Sequence, residues 1–132
     1  MILVDTSAWV EYLRATGSPA DRAIRARIEA GEPLALAEPV VMELLAGARD
    51  EAHGQRLRRM LLSFDCRPTA GLADWEEAAR IYRACRRAGS TVRSLTDCLI
   101  AAVALREGFE VLAADRDFDA IARETGLAVV RG

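Results

Sequence analysis

The stretch Met1-Ile-Leu-Val-Asp5 is a short, uninterrupted apolar run that ends at an acidic residue. A run of this length without polar alternation is typical of a strand that is buried on both faces. Leu34–Ala37 has the same character, and two more apolar runs cover residues 110–113 and 127–130. We therefore expect residues 1–4 to form a central strand of a sheet, with the other runs as its neighbours.

Patterns typical of amphipathic helices separate these runs. Thr6 or Ser7 is placed to cap a first helix, and Ser18 followed by Pro19 marks the start of a second. Short strands that alternate with helices predict one α/β domain over residues 1–132, with a central, mainly parallel sheet of four to five strands. Apolar spacing predicts two further inward helix faces, Leu57, Met60, Leu61 and Phe64, and then Trp75, Ala79 and Tyr82.

The composition narrows the possible functions. The 132 residues contain no apolar run near the roughly 20 residues that cross a bilayer and no leader pattern, so we expect a cytoplasmic protein without a membrane segment. All 18 basic residues are arginine, which excludes mechanisms that need a lysine amine. The single histidine, His53, lies in a polar stretch, so histidine triads and histidine-rich zinc sites are disfavoured. Three cysteines without paired spacing indicate buried, reduced thiols.

Four acidic residues lie next to apolar segments, where a carboxylate is unusual. Asp5 and Asp115 each follow an apolar run, Asp97 opens an apolar helix expected over residues 96–107, and Glu43 has apolar neighbours. Ligands of parallel α/β sheets bind outside the carboxyl ends of the strands, where Asp5 and Asp115 are expected. Each acid alone has a structural explanation, as a helix cap, a partner of a helix dipole or a solvated residue. Together, the four acids predict one shared site.

A group of carboxylates is the ligand set with which proteins hold Mg²⁺ next to a phosphate. Such ions activate a water, orient a phosphodiester and stabilise the leaving oxygen, which needs neither histidine nor lysine. The run Asp115-Arg-Asp-Phe-Asp119 is not a calcium loop, because Ala120 and Gly126 stand where that loop needs Gly and Glu. The lack of lysine disfavours phospho-acceptor sites, and no glycine-rich phosphate loop is present.

Four segments carry a family resemblance over nearly the whole chain. Asp5-Thr-Ser follows the first strand, and the others are Glu38-Pro-Val-Val-Met-Glu-Leu-Leu-Ala-Gly47, Ser94-Leu-Thr-Asp-Cys-Leu-Ile-Ala-Ala102 and Asp115-Arg-Asp-Phe118. In this order they resemble PIN-domain ribonucleases of the VapC toxin type. The resemblance implies an α/β/α sandwich and an endoribonuclease that uses Mg²⁺, with Mn²⁺ as a substitute. It also implies a toxin that forms a homodimer and is held inactive by a VapB-like antitoxin.

The same resemblance assigns the site residues. Asp117 is an alternative to Asp115 as the fourth acid, because this chain has Ala113 and Ala114 where many relatives carry a supporting hydroxyl or amide. Arg93, next to the expected site, is our candidate for a contact to an RNA phosphate. The catalytic and metal-binding acids correspond to Asp5, Glu43, Asp97 and Asp115, and the small hydroxyl near the metal to Thr6 or Ser7.

Two other functions stay open from the sequence. The first is a catalytically silent PIN-fold module that acts only by binding a partner, although the intact set of acids argues against it. The second is a DNA-directed or structure-specific nuclease, because the same metal chemistry serves both sugars. Recognition of the 2′-hydroxyl or of unstacked bases separates RNA from DNA, and no motif in this chain reports on it.

Overall fold

Five short strands and seven helices make up the structure, a computed structural model that describes residues 1–132. The strands are β1 (Ile2–Val4), β2 (Leu34–Ala37), β3 (Asp65–Arg67), β4 (Glu110–Leu112) and β5 (Val129–Val130). The helices are α1 (Thr6–Leu13), α2 (Pro19–Glu29), α3 (Glu38–Ala46), α4 (Glu51–Leu61), α5 (Gly71–Arg87), α6 (Leu95–Glu107) and α7 (Asp117–Thr125).

The strands form one parallel sheet in the order β3-β2-β1-β4-β5. Ile2 in β1 lies opposite Leu34 in β2 on one side and Glu110 in β4 on the other. The predicted α/β class and the central position of the first strand are therefore confirmed. Strand order reverses between β1 and β4, and at such a switch point the loops after two neighbouring strands leave a crevice at the carboxyl edge of the sheet.

The hydrophobic core lies between this sheet and the helices that pack against it. β1 and β2 are buried along their whole length, as the uninterrupted apolar runs predicted. Trp9 of α1 and Phe118 of α7 are completely buried, and α6 is buried over residues 97–104. Because α6 packs against α3, α5, α7 and β4, its first turn is held rigidly next to the sheet edge. None of the helices combines the length and the apolar character required to span a bilayer.

Two local expectations were wrong. The helix predicted to extend through Phe64 ends at Leu61, and β3, which the sequence did not indicate, follows it. The inner face of α5 is shifted by one position from the expected one, so Trp75 is 57% exposed. The residues of α5 that are buried are Asp74, Ala78, Ile81 and Cys85. On this inner face Asp74 forms an ion pair with Arg106 of α6.

Candidate active site

Asp5 lies directly after β1, and only 1% of its surface is exposed. Its N–H donates to the Leu112 carbonyl of β4 at 2.9 Å, which fixes its backbone at the edge of the sheet. Its Oδ2 accepts hydrogen bonds from the Ser7 N–H at 3.0 Å and the Ser7 hydroxyl at 2.6 Å. Asp5 itself is therefore the cap of α1, and the expected cap at Thr6 or Ser7 was wrong. The other oxygen, Oδ1, is buried without a hydrogen-bond partner.

The Ser7 hydroxyl joins two segments that carry acids. It donates to Asp5 and accepts from the N–H groups of Ala114 at 2.9 Å and Asp115 at 3.2 Å. The loop after β4 is thus tied to the loop after β1 by one side chain. Ala113 and Ala114 have no side-chain hydroxyl or amide, and the hydroxyl that bonds this loop comes from Ser7.

Glu43 reaches the same edge of the sheet from α3. Its Oε1 accepts a hydrogen bond from the Thr6 hydroxyl at 2.7 Å, and the residue is half-buried. Thr6 and Ser7, which were indistinguishable in the sequence, therefore have separate partners. Thr6 orients Glu43, whereas Ser7 orients Asp5.

Asp97 lies in the first turn of α6 and is 7% exposed. Burial, together with the charges of the neighbouring carboxylates, of which Asp5 has the largest effect, raises its pKa to about 8. Burial likewise raises the pKa of Asp5 to about 6, against the opposing effect of its bonds from Ser7. Asp97 Oδ2 is a second buried oxygen without a partner. Burying these two carboxylates together therefore lowers the stability of the fold when no cation is bound.

Asp115 and Asp117 complete the group. One carboxylate oxygen from each of Asp97, Asp115 and Asp117 lies within 4.8 Å of the other two. The Asp115 side chain is 25% exposed and the Asp117 side chain 12% exposed, so this part of the group is the more open. The sequence left Asp115 and Asp117 as alternatives, and the structure brings both to Asp97. We call Asp5, Glu43, Asp97, Asp115 and Asp117 the carboxylate cluster.

Arg93 is the one cation bonded to the carboxylate oxygens of this cluster. Its guanidinium donates to Asp115 Oδ1 at 3.0 Å from Nη2 and to Asp117 Oδ2 at 3.4 Å from Nε. Its backbone N–H also donates to Asp117 Oδ2, at 2.9 Å. The sequence placed Arg93 beside the site but did not predict that it pairs with two of the acids.

The donor set fits a divalent metal ion. Hard cations such as Mg²⁺ and Mn²⁺ take carboxylate oxygens, and the cluster offers two buried oxygens that no protein group satisfies, Asp5 Oδ1 and Asp97 Oδ2. A buried polar atom without a partner is costly, and burying a carboxylate without an opposite charge is more so. A cation at this edge of the sheet relieves both costs.

One supporting residue could not be identified from the sequence. Arg131, after β5, donates from Nη1 to the carbonyl oxygens of Ala113 at 3.1 Å and Asp115 at 2.9 Å. It also pairs with Asp119 of α7. Arg131 thus holds the loop between β4 and α7, which carries Asp115. Its position next to the last strand was the only signal available.

A mainly apolar groove on the surface does not include the cluster. It has a volume of about 450 Å³ and lies between α3, α5 and α6. Met42, Trp75 and Leu95 line it and are 60%, 57% and 60% exposed. Carboxylates that open to solvent on one side are not expected to form an enclosed cavity, so the chemistry of the side chains, not the cavity volume, identifies the site.

Comparison with known proteins identifies the family of the chain. Residues 2–124 match the PIN domain family. The chain is 49% identical over 128 residues to ribonuclease VapC11 of Mycobacterium tuberculosis and to VapC ribonuclease Mb1587 of Mycobacterium bovis, and each alignment covers 96% of both chains.

The fold also matches solved structures. One is VapBC2 from Rickettsia felis bound to a DNA fragment from their promoter, with a TM-score of 0.76 at 16% identity and 98% coverage of both chains. At that identity the similarity establishes the fold alone. The family match, the relatives at 49% identity and the five-stranded parallel sheet lead to one assignment. The chain belongs to the PIN-domain family, in its VapC ribonuclease group.

Proposed function

We propose that this chain is a metal-dependent endoribonuclease and that the carboxylate cluster is its active site. The observation that carries the proposal is the grouping of Asp115 and Asp117 with Asp97, whose pKa is raised by the charges of Asp5 and Glu43 as well. Asp5 and Asp97 also each have a buried oxygen without a protein partner. The VapC relatives at 49% identity are named ribonucleases. Arginine is the only basic side chain besides His53, so a carboxylate and metal mechanism suits the residues available.

Each acid has a distinct part in this proposal. Asp5 and Asp97 would hold the metal, since each has a buried oxygen free for a cation. Asp115 and Asp117 would bind from the open side, and Glu43, held by Thr6, would bind directly or through water. The ion, when bound, supplies charge that activates a water and stabilises the phosphodiester transition state. Ser7 keeps Asp5 and the Asp115 backbone in fixed relative positions, which limits reorganisation during the reaction.

We propose Mg²⁺ as the physiological ion and Mn²⁺ as a substitute. Both ions prefer carboxylate oxygens and water, and no histidine or cysteine lies in the cluster to favour a softer ion. We further propose that residues 1–132 act as one domain in the cytoplasm, as the toxin of a pair with a VapB-like antitoxin. The fold neighbour from Rickettsia felis is a VapBC pair.

A cleavage assay tests the proposal. The purified chain is incubated with total RNA, and with DNA of matched sequence, in Mg²⁺, in Mn²⁺ and in EDTA. We expect cleavage of RNA at defined positions in either metal and none in EDTA. Cleavage of DNA instead would support the DNA-directed alternative, and no metal-dependent cleavage of any substrate would support a silent binding module.

The oligomeric state is a separate prediction. We propose a homodimer, as the family resemblance implies, so light scattering coupled to size exclusion is expected to give twice the chain mass of 14.4 kDa. The measurement is made with the isolated chain at several concentrations. A mass of one chain at all concentrations would contradict the dimer and would leave the carboxylate cluster unaffected.

Removing the Ser7 hydroxyl is expected to weaken activity without unfolding the chain. In Ser7→Ala, Asp5 Oδ2 loses a 2.6 Å bond, and the amides of Ala114 and Asp115 lose their acceptor. Loss of such a supporting group typically lowers metal affinity or activity by about 10- to 100-fold. The measurements are the Mn²⁺ dissociation constant by titration calorimetry and the initial rate of RNA cleavage.

The matched control is Ser63→Ala. The Ser63 hydroxyl is exposed and donates to the Met60 carbonyl at the end of α4, away from the cluster. Activity and metal affinity of this variant are expected to equal those of the unmodified chain. If Ser7→Ala behaved like Ser63→Ala, the bridging role of Ser7 would be wrong.

A further inference from the structure

Arg93 stands where a cation is expected. Its guanidinium bonds Asp115 Oδ1 and Asp117 Oδ2, which belong to the three-acid group whose oxygens lie within 4.8 Å of one another. Asp115 Oδ1 also accepts from the Asp117 N–H at 2.9 Å, and Asp117 Oδ2 from the Arg93 N–H. These oxygens are therefore partly satisfied by the chain itself, unlike Asp5 Oδ1 and Asp97 Oδ2.

The Arg93 backbone is held by its neighbours, whereas its side chain is mostly exposed. Val92, the preceding residue, is 2% exposed, and the Arg93 N–H is bonded to Asp117. The Arg93 side chain is 75% exposed, so its departure from the two acids disrupts no packing. An ion pair made by a largely exposed guanidinium is weak, because solvent screens it and the side chain loses conformational freedom. The contact is thus weak enough for a divalent ion to replace it.

We propose that Arg93 competes with the metal ion for Asp115 and Asp117, so that metal binding at this side of the cluster displaces the guanidinium from both carboxylates. The inference rests on the proposed metal site but not on RNA cleavage. In the absence of metal, Arg93 neutralises part of the charge of five adjacent acids. Once displaced, the guanidinium stays next to the cluster, where an arginine fork suits a substrate phosphate.

Competition has a measurable consequence for metal affinity. Arg93→Gln removes the positive charge and the two-carboxylate contact, so the variant is expected to bind Mn²⁺ about three- to tenfold more tightly than the unmodified chain. Titration calorimetry with Mn²⁺ alone, in the absence of RNA, gives the dissociation constant. Thermal melting in EDTA verifies that each variant is folded.

Arg116→Gln is the matched control. Arg116 lies between Asp115 and Asp117 in the sequence, is exposed, and makes no hydrogen bond or ion pair through its side chain. Its replacement changes the net charge by the same amount but leaves both carboxylates untouched. Because its exposed guanidinium contacts neither carboxylate, its effect on Mn²⁺ affinity is expected to be about twofold or less.

Arg93→Lys provides a second variant. Its ammonium group keeps the charge but is a point charge that lacks the planar fork of a guanidinium, so affinity between that of the unmodified chain and Arg93→Gln is expected. Tighter binding in Arg93→Gln but not in Arg116→Gln supports competition. Equal gains in both glutamine variants, or unchanged or weaker binding in Arg93→Gln, would overturn it. Binding by none of the chains would overturn the proposed metal site and this inference together, whereas equal binding by all overturns this inference alone.

Discussion

Asp97→Asn is expected to lower the rate of RNA cleavage in Mg²⁺ by on the order of 10³-fold or more. Asp97 is the acid that the other members of the cluster surround, and its Oδ2 is buried without a protein partner. A bound ion contributes several kcal/mol to stabilising the transition state, and about 1.4 kcal/mol corresponds to tenfold in rate. The measurement is the initial rate on one defined RNA at saturating Mg²⁺.

Asp50→Asn is the control for that substitution. It makes the same chemical change at the exposed N-cap of α4, where Asp50 accepts a hydrogen bond from the His53 N–H and asparagine caps equally well. We expect its rate to be close to that of the unmodified chain. A folded Asp97→Asn chain that cleaves within tenfold of the unmodified rate would show that Asp97 is not part of the active site.

Asp97→Asn is also expected to stabilise the metal-free protein. The pKa of Asp97 rises from 3.8 to about 8 on folding, so the fold favours the protonated acid. The stability that this proton provides is fully present below about pH 4 and is lost as the pH rises to about 8. Asparagine carries no charge at any pH. The stability advantage of Asp97→Asn is therefore smallest near pH 4 and is expected to reach about 2 kcal/mol or more at pH 8.

Thermal melting in EDTA between pH 5 and pH 8.5 measures this effect. At pH 8, Asp97→Asn is expected to melt several degrees above the unmodified chain, at about 4 °C for each kcal/mol. Excess Mn²⁺ reverses the order, because an ion at 100 times its dissociation constant stabilises the chain that binds it by about 2.7 kcal/mol. A variant that melts lower than the unmodified chain at pH 8 in EDTA would contradict the claim that the charged Asp97 carboxylate destabilises the metal-free fold.

Much of the fold could be predicted because buried strands have a recognisable sequence pattern. β1 and β2 lie inside the sheet and are covered on both faces, so their sequences are apolar without interruption. The acids at the ends of such strands could be predicted as site residues for the same reason, since a charged residue directly after an apolar run is easily identified. Asp5 after β1 is the clearest example, and it lies where the sequence placed it.

The features that could not be predicted depend on contacts between residues that are distant in the chain. β3 pairs only with β2 at the edge of the sheet and is half-buried, so its sequence Asp65–Arg67 carries no apolar run. Ser7 bonds amides more than 100 positions away, at Ala114 and Asp115. No local pattern encodes such contacts. The pairing of Arg93 with two acids likewise depends on how the loop before α6 meets the start of α7.

The central claim is that the carboxylate cluster binds a divalent metal ion. Anomalous diffraction from crystals of the unmodified chain grown with Mn²⁺ tests it most directly, because the signal locates the ion without reference to activity. We predict an anomalous peak within coordination distance of the carboxylates of Asp5 and Asp97, and no such peak in Asp97→Asn crystals. A fully occupied Mn²⁺ peak elsewhere, with none at the cluster, would contradict the account.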